Sequence, residues 1–273
     1  MCRLLGILSA ESIPYRVLLR ETHRSLSTLS EEHPDGWGLA VFSSRPNAGG
    51  ATTQGWELHK GIHCAQRDEA FHETSSKILG EVLVSHVRRA TVGPVSPVNT
   101  HPFERQGWVF AHNGTIKDLD YLRRGISPAQ SKTIRGETDS ELFFAFLLSR
   151  FEEKGLLKGS DDGAIDTVLK SVTHEVILRP NFGELSFLLS NGATLYAYRW
   201  GAKPLFLLER GPHHGPQYRP AIEGGRELQI PWTKRRHAFF LASEKMTQEP
   251  WVELKEGELL RIDRHPQPTL RYL

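Results

Sequence analysis

The sequence predicts an α+β protein in which two sheets carry helices on their outer faces. Two observations predict it. Short runs rich in Val, Leu, Ile and Phe recur along the chain, and most are bounded by Gly, Pro, Asn or Asp. Helical patterns fall between groups of these runs. In order, a strand is read over Arg3–Leu8 and a helix over Arg16–Leu29. A strand over Trp37–Phe42 leads to a helix over Ala65–Leu79, then to strands over Glu81–Val87 and Trp108–His112. Thr138–Glu153 is a helix that opens on a T-x-x-E capping box from Thr138 to Glu141, after which Leu142, Phe143, Phe146 and Leu147 line one face. Ala164–Ile177 is helical because Ile165, Val168, Leu169, Val172 and Val176 recur at helical spacing. Strands follow at Leu185–Ser190, Thr194–Arg199, Pro204–Leu208, Ala238–Ala242 and Glu258–Ile262.

One long irregular stretch, Arg210–Arg236, holds GPHHGP, Gly224-Gly225 and PWTKRR. A loop of this length in a compact domain is expected to be functional or mobile, a flap or a docking surface. It is not read as a linker, because Ala238–Leu273 is too short to fold alone. The chain is therefore read as one domain over residues 1–273.

Composition narrows the function. The 273 residues carry 34 Lys+Arg against 32 Asp+Glu, a formal charge of +2, which removes the broad electrostatic case for nucleic acid. Apolar residues at 38% and charged residues at 24% exclude a disordered or fibrous chain. No apolar run approaches the roughly 18 residues that span a bilayer, and MCRLLGILSAES is too short for a secretory h-region. A cytoplasmic protein with reduced thiols is expected. Cys2 and Cys64, the two cysteines, cannot build a disulfide framework or a four-Cys zinc site.

Cys2 stands directly behind Met1. A thiolate is a strong nucleophile, but at an ordinary pKa of about 8.5 only a few per cent is ionised near neutrality. Loss of Met1 would give Cys2 a free α-amine with a pKa of about 7.7–8.0, close enough to accept its proton. The bland reading is a buried cysteine at the start of a strand. Ala111-His112-Asn113-Gly114-Thr115 ends a strand in Asn-Gly. That is either a simple turn or a side-chain amide and a backbone N–H placed as an oxyanion hole. Arg88, in Ser85-His86-Val87-Arg88-Arg89-Ala90-Thr91, could clamp a carboxylate in bidentate fashion or make a structural ion pair. Asn99, Thr100 and His101, in the Pro-rich loop Gly93–Phe103, are turn residues or site lining. Asp139 opens the capped helix and either complements its dipole or meets a substrate ammonium. Arg88 and Asp139 together would suit the zwitterionic head of an α-amino acid.

Cys2 after Met1, HPDGWGLA, SHVRRAT, NTHPF, AHNGT and GETDSE occur in that order. On these motifs the chain resembles the class II glutamine amidotransferase domain, and within it the stand-alone branch of YafJ-like proteins and the γ-glutamyl hydrolase of ergothioneine synthesis. NFGELSFLLSNGATLYAYRW and LASEKMT extend the resemblance over nearly the whole chain. It implies an N-terminal nucleophile hydrolase fold, a four-layer αββα sandwich of mainly antiparallel sheets. It implies that Cys2 attacks a γ-carboxamide carbon to form a γ-glutamyl thioester, with its own α-amine relaying the proton. Asn113 and Gly114 would hold the oxyanion, Arg88 the substrate α-carboxylate and Asp139 its α-amino group. Thr91 would line the glutamine pocket, and His112 falls in the same set of substrate-binding positions. Arg89 and Val92 depart from the Trp and His of glucosamine-6-phosphate synthase relatives, which leaves the outer pocket and the leaving group open.

The implied activity is hydrolysis of a γ-glutamyl amide, with glutamine as the default small-molecule substrate and no cofactor. Because the domain uses up the 273 residues, ammonia would pass to a separate synthase or amidase subunit. The alternatives are a hydrolase of γ-glutamyl peptides or conjugates that does not use free glutamine, and a catalytically idle regulatory subunit of the same fold. A metalloprotein is a third class, with His59, His63, Cys64, His112 and His213-His214 as possible ligands. Neither HExxH nor paired CxxC is present, so no metal is expected.

Overall fold

The computed structural model describes residues 2–46, 52–158, 161–211 and 237–273. The loop expected at 210–236 lies, from residue 212 on, outside the described residues, as do His213 and His214.

Among the described residues, one sheet has seven strands: β1 (Arg3–Pro14), β2 (Trp37–Pro46), β3 (Thr52–Gly61), β4 (Leu79–Val87), β9 (Phe206–Arg210), β10 (Ala238–Ala242) and β11 (Val252–Glu253). Their order is β11-β9-β10-β1-β4-β2-β3. The second sheet has six: β5 (Phe103–Arg105), β6 (Trp108–Asn113), β7 (Ser186–Ser190), β8 (Thr194–Tyr198), β12 (Leu259–Asp263) and β13 (Thr269–Tyr272), ordered β13-β12-β8-β7-β6-β5. Every pairing is antiparallel, as in β1 with β10 and β4, and β6 with β7.

Side chains alternate across a strand, so each sheet buries two faces and the protein has three apolar layers. Leu4, Leu8, Val84, Val109, Ala111, Leu188 and Leu260 pack between the sheets. Leu5, Ile7, Leu39 and Val41 face outward onto Leu18, Leu26 and Phe71. Leu26 belongs to α1 (Leu26–Leu29) and Phe71 to α2 (Glu69–Lys77). On the other side, Phe110, Phe187 and Tyr196 pack on Phe143, Phe146 and Leu147 of α5 (Asp139–Glu153) and Ile165 and Leu169 of α6 (Asp162–Ile177). The result is the four-layer αββα arrangement of two antiparallel sheets.

Several elements differ from expectation for local reasons. The helix read over 16–29 divides into a π-turn at Val17–Glu21 and α1, because Thr22 is extended and Ser25 starts a new N-cap, accepting from the Thr28 N–H at 3.1 Å. The helix read over 65–79 opens as a 3₁₀ turn, and α2 begins after Asp68, whose carboxylate accepts from the Ala70 N–H at 2.9 Å. The capping box closes on one side only. Thr138 accepts from the Glu141 N–H at 3.2 Å, whereas the Glu141 carboxylate takes the N–H groups of Arg135 and Gly136 and the guanidinium of Arg105. Strands β3, β5, β11 and β13, and helices α3 (Leu119–Gly125) and α4 (Pro128–Ser131), have no counterpart in the sequence reading. All four strands lie at sheet edges; β5 and β11 are only three and two residues long, and β3 and β13 have largely exposed side chains, so no buried face marks their period. The two helices are too short to show one. No described helix is long and apolar enough to cross a membrane.

Candidate active site

Strand parity brings the site together. On β1, Leu4 and Leu8 face the space between the sheets, and the same row ends in Cys2. On β4, Val82 and Val84 face inward and the row continues through His86 to Arg88. On β6, Val109 and Ala111 lead to Asn113. Arg3 lies opposite Val87, so one step further Cys2 comes opposite Arg88. Three inner rows therefore end together in a thiol, a guanidinium and a carboxamide.

Cys2 is half-buried against the Arg89 peptide. Its Sγ accepts from the Arg89 N–H at 3.3 Å and lies 3.5 Å from the Arg89 carbonyl. Burial pushes the thiol pKa up; the Arg89 hydrogen bond and the Arg88 charge oppose this, and the Asp139 carboxylate adds to it. Cys2 thus lies within electrostatic reach of both charged candidates, and it is a protonated thiol at neutral pH.

Arg88 is buried, and its guanidinium is wrapped by the loop that follows it. It donates to the carbonyls of Val92 at 2.9 Å, Gly93 at 3.1 Å and Pro94 at 3.0 Å. Its main chain is clamped between the Gly36 carbonyl at 2.8 Å and the Asp35 N–H at 3.0 Å, and the Asp35 carboxylate accepts from the Ala90 N–H at 2.8 Å. Asn99 ties this loop to the approach to α5. Its amide donates to the Pro94 carbonyl at 3.1 Å, and its oxygen accepts from the Glu137 N–H at 2.8 Å. Gly136 allows that contact, since a Cβ there would lie 2.2 Å from the Asn99 oxygen.

Asp139, the first residue of α5, accepts from the Ile116 N–H at 2.6 Å and so fastens the helix to the turn that carries Asn113 and Gly114. His112 faces the helix side of β6. Its Nε2 lies 3.1 Å from the Glu184 carbonyl, which can only accept, so Nδ1 of the neutral ring accepts from the Ser140 hydroxyl at 2.9 Å. Burial lowers its pKa and favours that neutral form. A Cβ at Gly114 would meet the Glu184 carbonyl oxygen at 2.4 Å and His112 Nε2 at 2.7 Å, so only glycine fits. His112 thus touches Ser140 and borders the Gly114 turn. The Asn113 side chain, 4% exposed, makes no hydrogen bond among the described residues, and neither does the Gly114 N–H. Gly114 is half-buried and Asn113 lines a cleft, so both donors at this turn are available to a ligand oxygen.

Thr91 stands exposed on the loop after β4. Cys64 lies elsewhere, opening the 3₁₀ turn Ala65–Arg67, with its sulfur 3.3 Å from the Ser30 hydroxyl. His59 pairs with Glu57 at 3.0 Å on edge strand β3. Among the described residues no three His, Cys, Asp or Glu side chains converge to hold a metal ion.

Sequence reasoning assigned no role to Asp35, Ser140, Glu184 or His86, which forms a buried pair with His101. The rings of that pair lie 4.4 Å apart behind the site, held uncharged by burial. Only Asp35 carried a local signal, an Asp-Gly turn ahead of a strand. Asn113 also borders a cleft of about 630 Å³, which opens between the start of β1 and the turn after β10.

Residues 1–268 match the family of class-II glutamine amidotransferases. An uncharacterised protein of Methanocaldococcus jannaschii is 31% identical over 268 residues, 95% of this chain and 68% of that protein. The γ-glutamyl-hercynylcysteine sulfoxide hydrolase of Mycobacterium tuberculosis is 28% identical over 210 residues, 74% of this chain and 77% of that enzyme. The crystal structure of a predicted glutamine amidotransferase from Pseudomonas aeruginosa superposes with a TM-score of 0.63 at 24% identity, covering 99% of each chain.

Proposed function

The chain belongs to the class II glutamine amidotransferases and has their N-terminal nucleophile hydrolase fold, and on that premise we propose that it hydrolyses a γ-glutamyl amide through a thioester on Cys2. The observation that carries the reading is the meeting of the Cys2, Arg88 and Asn113 rows at one end of the inter-sheet space, beside Asp139.

In this reading Arg88 directs guanidinium N–H groups to the substrate α-carboxylate, and Asp139 accepts from the α-ammonium. The γ-carbonyl oxygen points at the Asn113 amide and the Gly114 N–H. Burial keeps the Cys2 thiol protonated, so attack needs a base. Once Met1 is removed, the α-amine of Cys2 takes the thiol proton while Sγ bonds to the γ-carbon. The negative charge gathers on the carbonyl oxygen, where the two idle donors stabilise it. When the C–N bond breaks, the leaving nitrogen takes the proton back from the α-ammonium. Water then repeats the sequence, releasing glutamate and restoring the thiol.

The family includes enzymes that pass the released nitrogen on. If ammonia leaves, a separate synthase or amidase subunit receives it. Two free thiols, Cys2 and Cys64, suit a reducing cytoplasmic setting.

The test is mass spectrometry after exposure to 6-diazo-5-oxo-norleucine, a glutamine-like electrophile. One adduct on an N-terminal Cys2 lacking Met1 is expected. Labelling elsewhere overturns the mechanism; no labelling, with no γ-glutamyl substrate turned over, favours the idle subunit.

A further inference from the structure

Arg88 and Asp139 account for the γ-glutamyl head, yet neither lines the cleft that Asn113 borders. That cleft measures about 630 Å³, whereas a departing ammonia needs no more than the share of one water, about 30 Å³. Its volume falls within the range of about 300–1,000 Å³ that holds organic ligands.

Its charge is unbalanced. Arg3, Arg24, Lys203 and Lys245 line it, against the carboxylates of Glu244 and Glu249. Glu249 is already neutralised from behind by buried Arg210, whose Nε lies 2.7 Å away, and it also accepts from the Thr247 hydroxyl at 2.7 Å. Glu244 is shared by the guanidinium groups of Arg3 and Arg24. Lys203 reaches Glu184 at 3.6 Å. Lys245 sits 5.3 Å over the Phe206 ring and has no carboxylate partner among the described residues. A partly apolar pocket with surplus cations attracts an anion, and its wall reaches the oxyanion carboxamide.

Resting on the thioester reading above, we propose that this cleft is the leaving-group subsite and that it takes an amine bearing a carboxylate. The substrate is then a γ-glutamyl amide of an amino acid or short peptide, with its free carboxylate against Lys245, Arg24 and Lys203. Chemistry at the γ-carbon is unchanged. The S–C bond forms, the C–N bond breaks, and the peptide nitrogen takes the proton held by the Cys2 amine. The remote carboxylate only binds.

γ-Glutamylglycine and γ-glutamylglycinamide differ only in that carboxylate, so their turnover by the processed full-length protein reads the subsite directly. The expected result is a kcat/KM at least about tenfold higher for γ-glutamylglycine, one charge-assisted contact contributing about 1.5–3 kcal/mol. The preference should shrink several-fold in Lys245→Ala and invert in Lys245→Glu, with the change carried by KM. Equal turnover of the two compounds by the unsubstituted protein, or a preference that survives Lys245→Glu, overturns the inference and leaves the thioester reading standing. If neither compound is hydrolysed and Cys2 resists 6-diazo-5-oxo-norleucine, both fall together.

Discussion

The surroundings of Cys2 and Cys64 differ in a way that their own hydrogen bonds do not reveal. Both thiols are free and half-buried, and each is held by one distant residue. Cys2 is bracketed by the peptide N–H and carbonyl of Arg89, and Cys64 by the hydroxyl and carbonyl of Ser30, at 3.3 and 3.4 Å. Cys64, however, caps a turn on the outer helical layer, while Cys2 ends a row between two sheets, facing the ends of two more. In the proposed reading, what would make Cys2 the nucleophile is what the neighbouring strands deliver to its sulfur.

The largest expected effect divides the two residues outright. Cys2→Ala should lower γ-glutamyl hydrolysis by about 10³-fold or more, the usual scale for loss of a nucleophile, while Cys64→Ala stays within about twofold. Loss of turnover in Cys64→Ala with an unchanged melting temperature would erase the distinction. Next comes Asn113→Ala, in which kcat should fall about 10²–10³-fold with little change in KM, as for other oxyanion donors. A change confined to KM would move Asn113 from the transition state to simple binding.

Arg88→Lys is expected to cost about 10- to 100-fold in kcat/KM, on the basis that a charge-assisted hydrogen bond contributes about 1.5–3 kcal/mol. Part of that loss is structural, because three loop carbonyls lose their donor. A melting curve of the same variant separates the two contributions.

Two pH effects are smaller. With Met1 retained, Cys2 should alkylate with a half-maximal rate at a pH above the ordinary thiol value of about 8.5, because burial disfavours the thiolate. A midpoint below that value would mean that Arg88 and the Arg89 peptide outweigh burial. His33, buried near Arg3 and Arg89, has its pKa pushed down to about 3, by burial first and then by Arg3. Between that value and the ordinary value of about 6.5 the unfolded chain binds a proton that the folded chain refuses. Its contribution to stability is therefore complete above that window and is lost as pH falls through it. In His33→Gln the urea midpoint should fall less between pH 7 and pH 4 than in the parent protein. An identical fall would place the acid sensitivity elsewhere, with buried His86 and His101 the next to test.

How much was legible depended on the distance over which each signal acts. The helix from Thr138 was readable because cap and apolar face lie within a few turns, and the structure places it over Asp139–Glu153. The Asn-Gly end of β6 was readable as either a turn or an oxyanion pair. Only the contact of Gly114 with the Glu184 carbonyl shows why no other residue fits. Edge strands β3 and β13 were invisible because exposed residues need not alternate. Glu141 looked like half of a capping box, but a nearby guanidinium and two loop N–H groups compete for its carboxylate.

By itself the sequence determined the local units: the thiol behind Met1, the strand that ends in Asn113-Gly114, the capped helix that begins at Asp139, and the order of the motifs that places the chain in its family. Tertiary structure alone decided which of these meet. Register sets Cys2 opposite Arg88, Asn99 and Asp139 bind the loops to one another, and Arg24, Lys203 and Lys245 converge on one cleft from three separate segments. The physical reason is range. Capping, turn formation and alternation act over a few residues, whereas the field at a sulfur and the charge of a cleft sum over groups that only sheet packing brings close.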